Sequence, residues 1–308
     1  MDYVNPTPNR DGQDLIYAES DSSGTGRPQV FYVNGIRTPP DAHRDIAILL
    51  SRLLERQVLG IYNKHDKIEL TLPFGPMSLR TGIHDDGYVA DLLLECLPQW
   101  LQSGAAVTAE QLWNAVSSFP GWLGAHLRRV VPKGSGVDQV VQRIGAAVKS
   151  PRQRVGAAID LIWKTATPHL RQSIARAWVS PYPSAKRLFE LLASGQYEDA
   201  VIVPHSQGNL ITVHALWALK LAKGQAHYEK MRVFSLASPV TGWPDGAWIR
   251  LYAMTGDPVA WMSLGRTYRG PGQDSKSEFG LAAHDVERNI FGTAFANDIR
   301  AHLGLGGA

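Results

Sequence analysis

Residues 201–211 read Val-Ile-Val-Pro-His-Ser-Gln-Gly-Asn-Leu-Ile, and this stretch is the strongest indication of the fold in the sequence. It opens on a short apolar run, which is typical of a strand buried on both faces of a parallel sheet. A polar turn follows, and Leu210 begins an apolar pattern with helical spacing. The stretch therefore predicts a strand, a sharp turn with Ser206 at its apex, and a helix.

This turn has the features that chemistry at a serine requires. A sharp strand-to-helix turn presents the hydroxyl of its central residue above the edge of the sheet. Gly208 has no Cβ, so helix and strand can approach closely, and the helix N-terminus favours developing negative charge. We therefore predict Ser206 as a nucleophile, with the backbone N–H of Gln207 as one donor to an oxyanion.

Strand and helix patterns alternate around this stretch. Buried strands are predicted at 29–33, 58–62, 200–203, 232–236 and 249–253, with a short edge strand at 15–17. Helices are predicted at 41–54, 188–192 and 209–223, and Asp41 is expected to cap the first of them. The alternation predicts an α/β protein with a doubly wound, mostly parallel sheet flanked by helices.

A segment of different character interrupts this alternation. Residues 87–180 have helical periodicity and few strand signals, which predicts a helical insertion that covers the sheet. We call it the cap segment. The chain then divides into a first core part at 1–86, the cap segment, and a second core part at 181–308.

The cap segment is basic and rich in tryptophan. Residues 97–180 hold ten Lys and Arg against three acids, a net charge of +7, and five of the nine Trp. Basic amphipathic helices with Trp bind anionic membrane surfaces, which suggests an interfacial lid. Its candidate membrane contacts are Arg128, Arg129, Arg143 and Trp122. The alternative is an ordinary helical layer with core Trp and solvated Arg.

A serine hydroxyl needs a general base, and in sites of this type an acid and then a histidine follow the serine along the chain. Four histidines follow Ser206. His214 lies on the helix of the turn, His227 comes too early, and His302 is next to the C-terminus, which leaves His284. The acid should follow the strand at 249–253, which favours Asp257, with Asp245 as the alternative.

The second oxyanion donor should come from the loop after an early strand. Residues 33–38 read Val-Asn-Gly-Ile-Arg-Thr and follow the first strong strand. The backbone N–H of Gly35 or of Ile36 is therefore the candidate. An Asn-Gly pair is also a common turn signal, so the pair alone does not indicate an oxyanion site. It does so only together with the turn at Ser206.

Four pieces of sequence together resemble the α/β-hydrolase superfamily: residues 33–36, 204–209 and 256–259, and His284. The turn at Ser206 is similar to that of bacterial lipases and esterases, including lipase-type toxins delivered by specialised secretion systems. The resemblance covers about 10–75 and 181–308. It implies Ser206 as nucleophile, His284 as base and Asp257 as acid, with Gln207 and Ile36 as the oxyanion pair.

This resemblance implies an enzyme, a serine hydrolase that cleaves carboxylic esters through an acyl-enzyme. A lipase or phospholipase is the favoured interpretation. The alternatives are a thioesterase or small-ester esterase, and a binding module that kept the hydrolase fold without catalysis. The resemblance implies no cofactor and no metal. The expected partners are a lipid or ester substrate and an anionic membrane surface, and no immunity or chaperone protein is identified.

Composition excludes several other classes. The chain has 308 residues, 44% of them hydrophobic, so it can bury a sizeable core, and its net charge of +3 does not favour nucleic acid. Its single cysteine, Cys96, excludes a disulfide framework and a cysteine-rich zinc site. No apolar run is long enough for a membrane span, and no signal peptide is recognised. We expect cytoplasmic synthesis, with signal-independent export for an effector.

Overall fold

The described residues of the protein form nine strands in its computed structural model. They are β1 (Asp14–Tyr17), β2 (Val30–Val33), β3 (Val58–Ile61), β4 (Ile68–Thr71), β5 (Ser78–Thr81), β6 (Val201–Pro204), β7 (Arg232–Leu236), β8 (Trp248–Met254) and β9 (Gln273–Glu278). The structure describes residues 6–18, 29–35, 38–64, 68–71, 78–81, 163, 167–180, 182–197, 199–240, 243–244, 246–254, 257, 273–278 and 285–305.

The helices of the described residues lie between and after these strands. They are α1 (Pro40–Leu54), α2 (Pro168–Val179), α3 (Pro183–Ala193), α4 (Gly208–Lys223), α5 (Gln225–Tyr228), α6 (Val286–Phe291) and α7 (Phe295–His302). The capping prediction for α1 is wrong. The N-cap is Pro39 and not Asp41, because the fixed φ of Pro40 suits the first helical position, and the helix begins two residues earlier than a cap at Asp41 would allow.

Seven of the strands form one sheet in the order β1-β3-β2-β6-β7-β8-β9. Strand β1 pairs antiparallel with β3, and the other six strands run parallel. The predicted α/β architecture, a mostly parallel sheet with flanking helices, is confirmed. Strands β4 and β5 form a separate antiparallel pair, and β9 is an edge strand that no sequence pattern predicted.

Each face of the sheet is covered by helices. Along β2, Phe31 and Val33 pack in a cluster with α2, α3 and α4, while Val30 and Tyr32 pack in a second cluster with α1 and α7. All four residues are fully buried. Successive side chains of a strand point to opposite faces, so a strand covered on both faces must be apolar throughout.

The two crossovers that flank the middle of the sheet go in opposite directions. From β2 the chain passes through α1 to β3, and from β6 it passes through α4 to β7 on the other side. Helices α1 and α4 belong to opposite faces, as two right-handed crossovers in opposite directions require. The strand order therefore reverses between β2 and β6. In sheets of this kind, ligands bind at such a switch point, beyond the carboxyl ends of the strands.

Helix α2 occupies the end of the segment predicted to be the cap. Its Ile174, Trp178 and Val179 are buried in the core cluster that also contains residues of α3 and α4. These residues therefore help to cover the sheet. The earlier part of the cap segment, 87–162, lies outside the described residues, as do Arg128, Arg129, Arg143 and Trp122.

Candidate active site

Ser206 lies at the switch point of the sheet, between the end of β6 and the start of α4. Its φ is 53°, in the left-handed region that residues with a side chain rarely adopt. Such a conformation costs about 1–3 kcal/mol and persists only where the surroundings enforce it. The sharp turn predicted from the sequence is therefore present, and its apex residue is held in backbone strain.

The turn from Pro204 to Asn209, which we call the elbow, is bonded to the neighbouring strand β7. The N–H of Ser206 donates to the carbonyl of Leu236 at 3.0 Å. The side-chain amide of Asn209 donates to the carbonyls of Ser206 and Leu236, both at 2.9 Å, and its Oδ1 accepts from Ser235 Oγ at 2.5 Å. Asn209 and Ser235 are fully buried. The sequence predicted no role for Asn209, although this residue lies within the stretch at 201–211.

Two glycines allow the elbow to touch the loop after β2. A Cβ on Gly35 would lie 2.6 Å from the Cβ of Ser206, and a Cβ on Gly208 would lie 2.2 Å from the carbonyl oxygen of Val33. Neither position has room for a methyl group. The close approach predicted for Gly208 is confirmed, and Gly35 lies directly beside Ser206.

The backbone N–H groups of the turn are not all engaged. Gly208 N–H donates to His205 and Asn209 N–H donates to Ser206, at 2.8 and 3.0 Å. Among the described residues, neither Gln207 N–H nor Gly35 N–H donates to any other group. These two donors flank Ser206 at the N-terminus of a helix, where negative charge is stabilised. Ile36, the other candidate donor, lies outside the described residues.

Asp257 lies beyond the carboxyl end of β8, at the same edge of the sheet as Ser206. Asp257 is fully buried, and its backbone N–H donates to the carbonyl of Met254 at 2.9 Å. Both His284 and Asp245 lie outside the described residues. Asp285, which follows His284, caps α6 by accepting from Arg288 N–H at 3.0 Å.

The three other histidines that follow Ser206 make contacts away from the elbow. His214 is buried between Trp178 and Tyr182, with Nε2 3.3 Å from the Trp178 carbonyl. His227 has Nε2 3.3 Å from the carbonyl of Leu192. His302 stacks on Trp248, the first residue of β8, so it lies at the amino ends of the parallel strands, opposite to the elbow.

A second buried polar group lies beside the elbow. Asn34 follows β2, and Asn63 lies just beyond β3. Asn34 Nδ2 donates to the Asn63 carbonyl at 2.9 Å, and Asn34 Oδ1 accepts from Asn63 N–H at 2.9 Å. Asn63 Nδ2 in turn donates to Gln207 Oε1 at 3.1 Å. This asparagine pair, Asn34 and Asn63, was not predicted from the sequence.

His43 lies beneath the asparagine pair and is fully buried on α1. Its Nδ1 is 2.8 Å from Asn34 Oδ1. Because that oxygen also accepts from a backbone N–H, it is an acceptor, so Nδ1 of the neutral imidazole must carry the proton. Burial lowers the pKa of His43 to about 3, so the ring is neutral at physiological pH.

Comparison of the chain with protein family models, with curated proteins and with solved structures gives no match. Within the described part of the chain there is no group of three or more His, Cys, Asp or Glu that could hold a metal ion. No helix in the same residues is long and apolar enough to cross a membrane. Because no known protein matches, the description of the site rests on the geometry of its own residues.

The strain at Ser206 predicts a stability difference between two small replacements. Ser206→Gly is expected to unfold with a free energy about 1 kcal/mol higher than Ser206→Ala, because only glycine adopts a positive φ without a steric penalty. Urea denaturation of the two variants measures this difference. The matched pair is Ser238→Gly and Ser238→Ala, at a buried serine with ordinary φ, where glycine should be the less stable. The same order at both sites would contradict the prediction.

The buried neutral His43 predicts acid sensitivity. Below pH 6.5 the unfolded chain protonates this residue and the folded chain does not, until the pH approaches 3. Its contribution to stability is therefore complete above pH 6.5 and falls as the pH falls, by about 1.4 kcal/mol per pH unit. His43→Asn keeps a donor for Asn34 and removes the titration. Its free energy of unfolding should fall less than that of the wild type between pH 7.5 and 5.5, and equal slopes would contradict this.

Proposed function

We propose that the protein is a serine hydrolase of the α/β-hydrolase type, which cleaves carboxylic esters of lipids. One observation carries the proposal: Ser206 has a strained backbone with φ 53° at the point where the strand order reverses, between a buried strand and a helix N-terminus. Strain of this kind is maintained where function needs the side chain in one place. A nucleophile on a strand-to-helix elbow is such a case.

The order of the elements supports the same proposal. Ser206 follows β6, Asp257 follows β8, and His284 falls between β9 and α6 in the sequence. This is the order of nucleophile, acid and base in α/β-hydrolases. All four parallel strands from β6 to β9 present their carboxyl ends on the same side of the sheet, so the segments that follow β6, β8 and β9 all leave the sheet on that side. The contacts that the other three histidines make elsewhere support His284 as the base.

The proposed reaction has two steps. Ser206 Oγ attacks the ester carbonyl while His284 accepts its proton, and the N–H groups of Gln207 and of residue 35 or 36 hold the oxyanion. The C–O bond to the alcohol then breaks, and the alcohol leaves with that proton. Water gives a proton to His284, attacks the acyl-enzyme and releases the acid, and the proton returns to Ser206. Asp257 accepts the second imidazole N–H and stabilises the charged ring.

The lipid part of the proposal comes from the composition of the cap segment, because a basic, Trp-rich stretch suits contact with anionic bilayers. The test is release of fatty acid from phosphatidylglycerol and phosphatidylcholine vesicles by the wild type and by Ser206→Ala. Release that depends on Ser206 and is faster on the anionic vesicles is the expected result. Replacement of Arg128, Arg129, Arg143 and Lys149 by Gln should remove that preference.

The outcomes separate the two parts of the proposal. Without vesicle release, Ser206-dependent hydrolysis of p-nitrophenyl butyrate would overturn the lipid substrate and leave an esterase. The absence of ester hydrolysis, together with failure of a fluorophosphonate to label Ser206, would overturn the enzyme and favour a binding module.

A further inference from the structure

The side chain of Gln207 is held from outside the elbow. Gln207 follows the proposed nucleophile, and the residue is 4% exposed. Its Oε1 accepts from Asn63 Nδ2, which comes from beyond β3, a strand that does not adjoin β6. Gln207, whose N–H donates to no other described group, is therefore held through its side chain by Asn63, which lies beyond β3.

Asn63 is held in turn by Asn34. Both the N–H and the carbonyl of Asn63 pair with the side-chain amide of Asn34, as a neighbouring strand would pair with them. Asn34 Nδ2 also donates to the carbonyl of Gly35 at 3.0 Å, and that carbonyl accepts from Thr38 Oγ1 at 3.1 Å. Asn34 therefore fixes Asn63 and the peptide that leaves Gly35.

The asparagine pair thus connects both backbone segments that flank Ser206. One segment is the loop of Gly35, and the other is the start of α4 at Gln207. His43 Nδ1–H bonds to Asn34 Oδ1 and holds its amide in this orientation. Every member of the chain from His43 to Gln207 is buried, where hydrogen bonds compete little with water and hold geometry well.

We propose that Asn63 is a positioning residue of the oxyanion site: by holding the Gln207 side chain, it aims the Gln207 N–H at the oxygen that becomes negative during ester cleavage. This rests on the proposed function. The buried Nε2 of Gln207, which donates to no group in the described part of the chain, leaves its Oε1 bond to Asn63 as the one side-chain hydrogen bond found there. Loss of the bond between Asn63 and Gln207 lets the Gln207 side chain move, and with it the peptide group that carries the Gln207 N–H.

The predicted effect is on the chemical step. An oxyanion donor acts in the transition state and contributes little to substrate binding, so its misalignment lowers kcat and kcat/KM together. Asn63→Leu keeps the backbone bonds of residue 63 to Asn34 and removes only its side-chain bonds. It is expected to lower kcat for p-nitrophenyl butyrate about 10- to 100-fold, with KM within twofold of the wild type.

Two controls make this test specific. Ser184→Ala removes the other hydrogen bond of the Asn63 side chain, from Ser184 Oγ to Asn63 Oδ1 at 3.4 Å, together with a bond to Asp11 at 2.9 Å, and should leave kcat unchanged. Gln207→Met cuts the same bond from the other end and should lower kcat by a similar factor. The double variant Asn63→Leu/Gln207→Met should be no slower than the slower single variant, because one bond is lost in all three.

The outcomes distinguish this inference from the proposed function. If the wild type hydrolyses the ester through Ser206 but Asn63→Leu keeps kcat within twofold, or changes KM alone, the inference is overturned and the proposed function stands. Multiplicative losses in the double variant would overturn it as well. Should Asn63→Leu fail to fold, the kcat and KM of Gln207→Met decide. Ester hydrolysis that persists in Ser206→Ala would overturn the proposed function itself.

Discussion

Ser206→Ala is expected to lower kcat for ester hydrolysis by about 10⁴- to 10⁶-fold, with a folded protein that unfolds at nearly the wild-type temperature. In the proposed reaction the hydroxyl oxygen forms the covalent bond to the acyl group, and no other residue from Pro204 to Asn209 carries a hydroxyl. Loss of the nucleophile in serine hydrolases leaves only the contributions of oxyanion stabilisation and binding. Steady-state hydrolysis of p-nitrophenyl butyrate and covalent labelling with a fluorophosphonate measure the effect.

The matched control for this substitution is Ser238→Ala. Ser238 is a buried serine just beyond β7, the strand next to β6, and its Oγ accepts from Val240 N–H at 3.1 Å. It should keep wild-type activity and labelling. Equal loss in both variants would point to damage of this edge of the sheet, and wild-type activity in Ser206→Ala would remove Ser206 from the reaction.

Gly208→Ala is expected to destabilise the fold by about 3 kcal/mol or more. Its Cβ would lie 2.2 Å from the carbonyl oxygen of Val33, 2.9 Å from the Val33 carbonyl carbon and 3.0 Å from the Asn34 carbonyl oxygen. All three atoms belong to the backbone, so no side chain can rotate to make room. Either β2 or α4 must shift, although both are buried. Urea denaturation monitored by circular dichroism gives the free energy of unfolding.

Gly195→Ala is the control for this glycine. Gly195 has a positive φ, but its Cβ would meet nothing within 4 Å, so alanine should cost only about 1 kcal/mol there. A similar small loss for Gly208→Ala would mean that the elbow and β2 can separate without penalty, and the close approach would then have no structural importance.

Sequence patterns predicted the centre of the sheet and the edge strand β1, but they missed β9 at the other edge. Strands β2 and β6 are covered on both faces, so their sequences are continuous apolar runs that are easy to recognise. Strand β9 reads Gln-Asp-Ser-Lys-Ser-Glu, which has no apolar residue, and it lies at the edge of the sheet. Its pairing with β8 is a property of the assembled sheet, which a local pattern cannot reveal.

The candidate site likewise contains residues that the sequence predicted and residues that it did not. Ser206, Gln207 and Gly208 are consecutive, so the turn that they form leaves a local signature. The asparagine pair leaves none, because Asn63 and Gln207 are 144 positions apart and meet only after β2, β3 and β6 have paired. A buried histidine in an amphipathic helix likewise gives no sign that it bonds to a loop asparagine.

The switch point also determines how the site tolerates changes of chain length. Its two halves are connected through the chain between β3 and β6, which includes the packed helices α2 and α3. The entropy of closing a flexible loop grows only with the logarithm of its length, so doubling the length of a loop inserted there would cost only about 0.6 kcal/mol more. The elbow and the loop of Gly35 can therefore meet almost independently of how many residues separate them, so insertions there are available for variation in what the protein recognises.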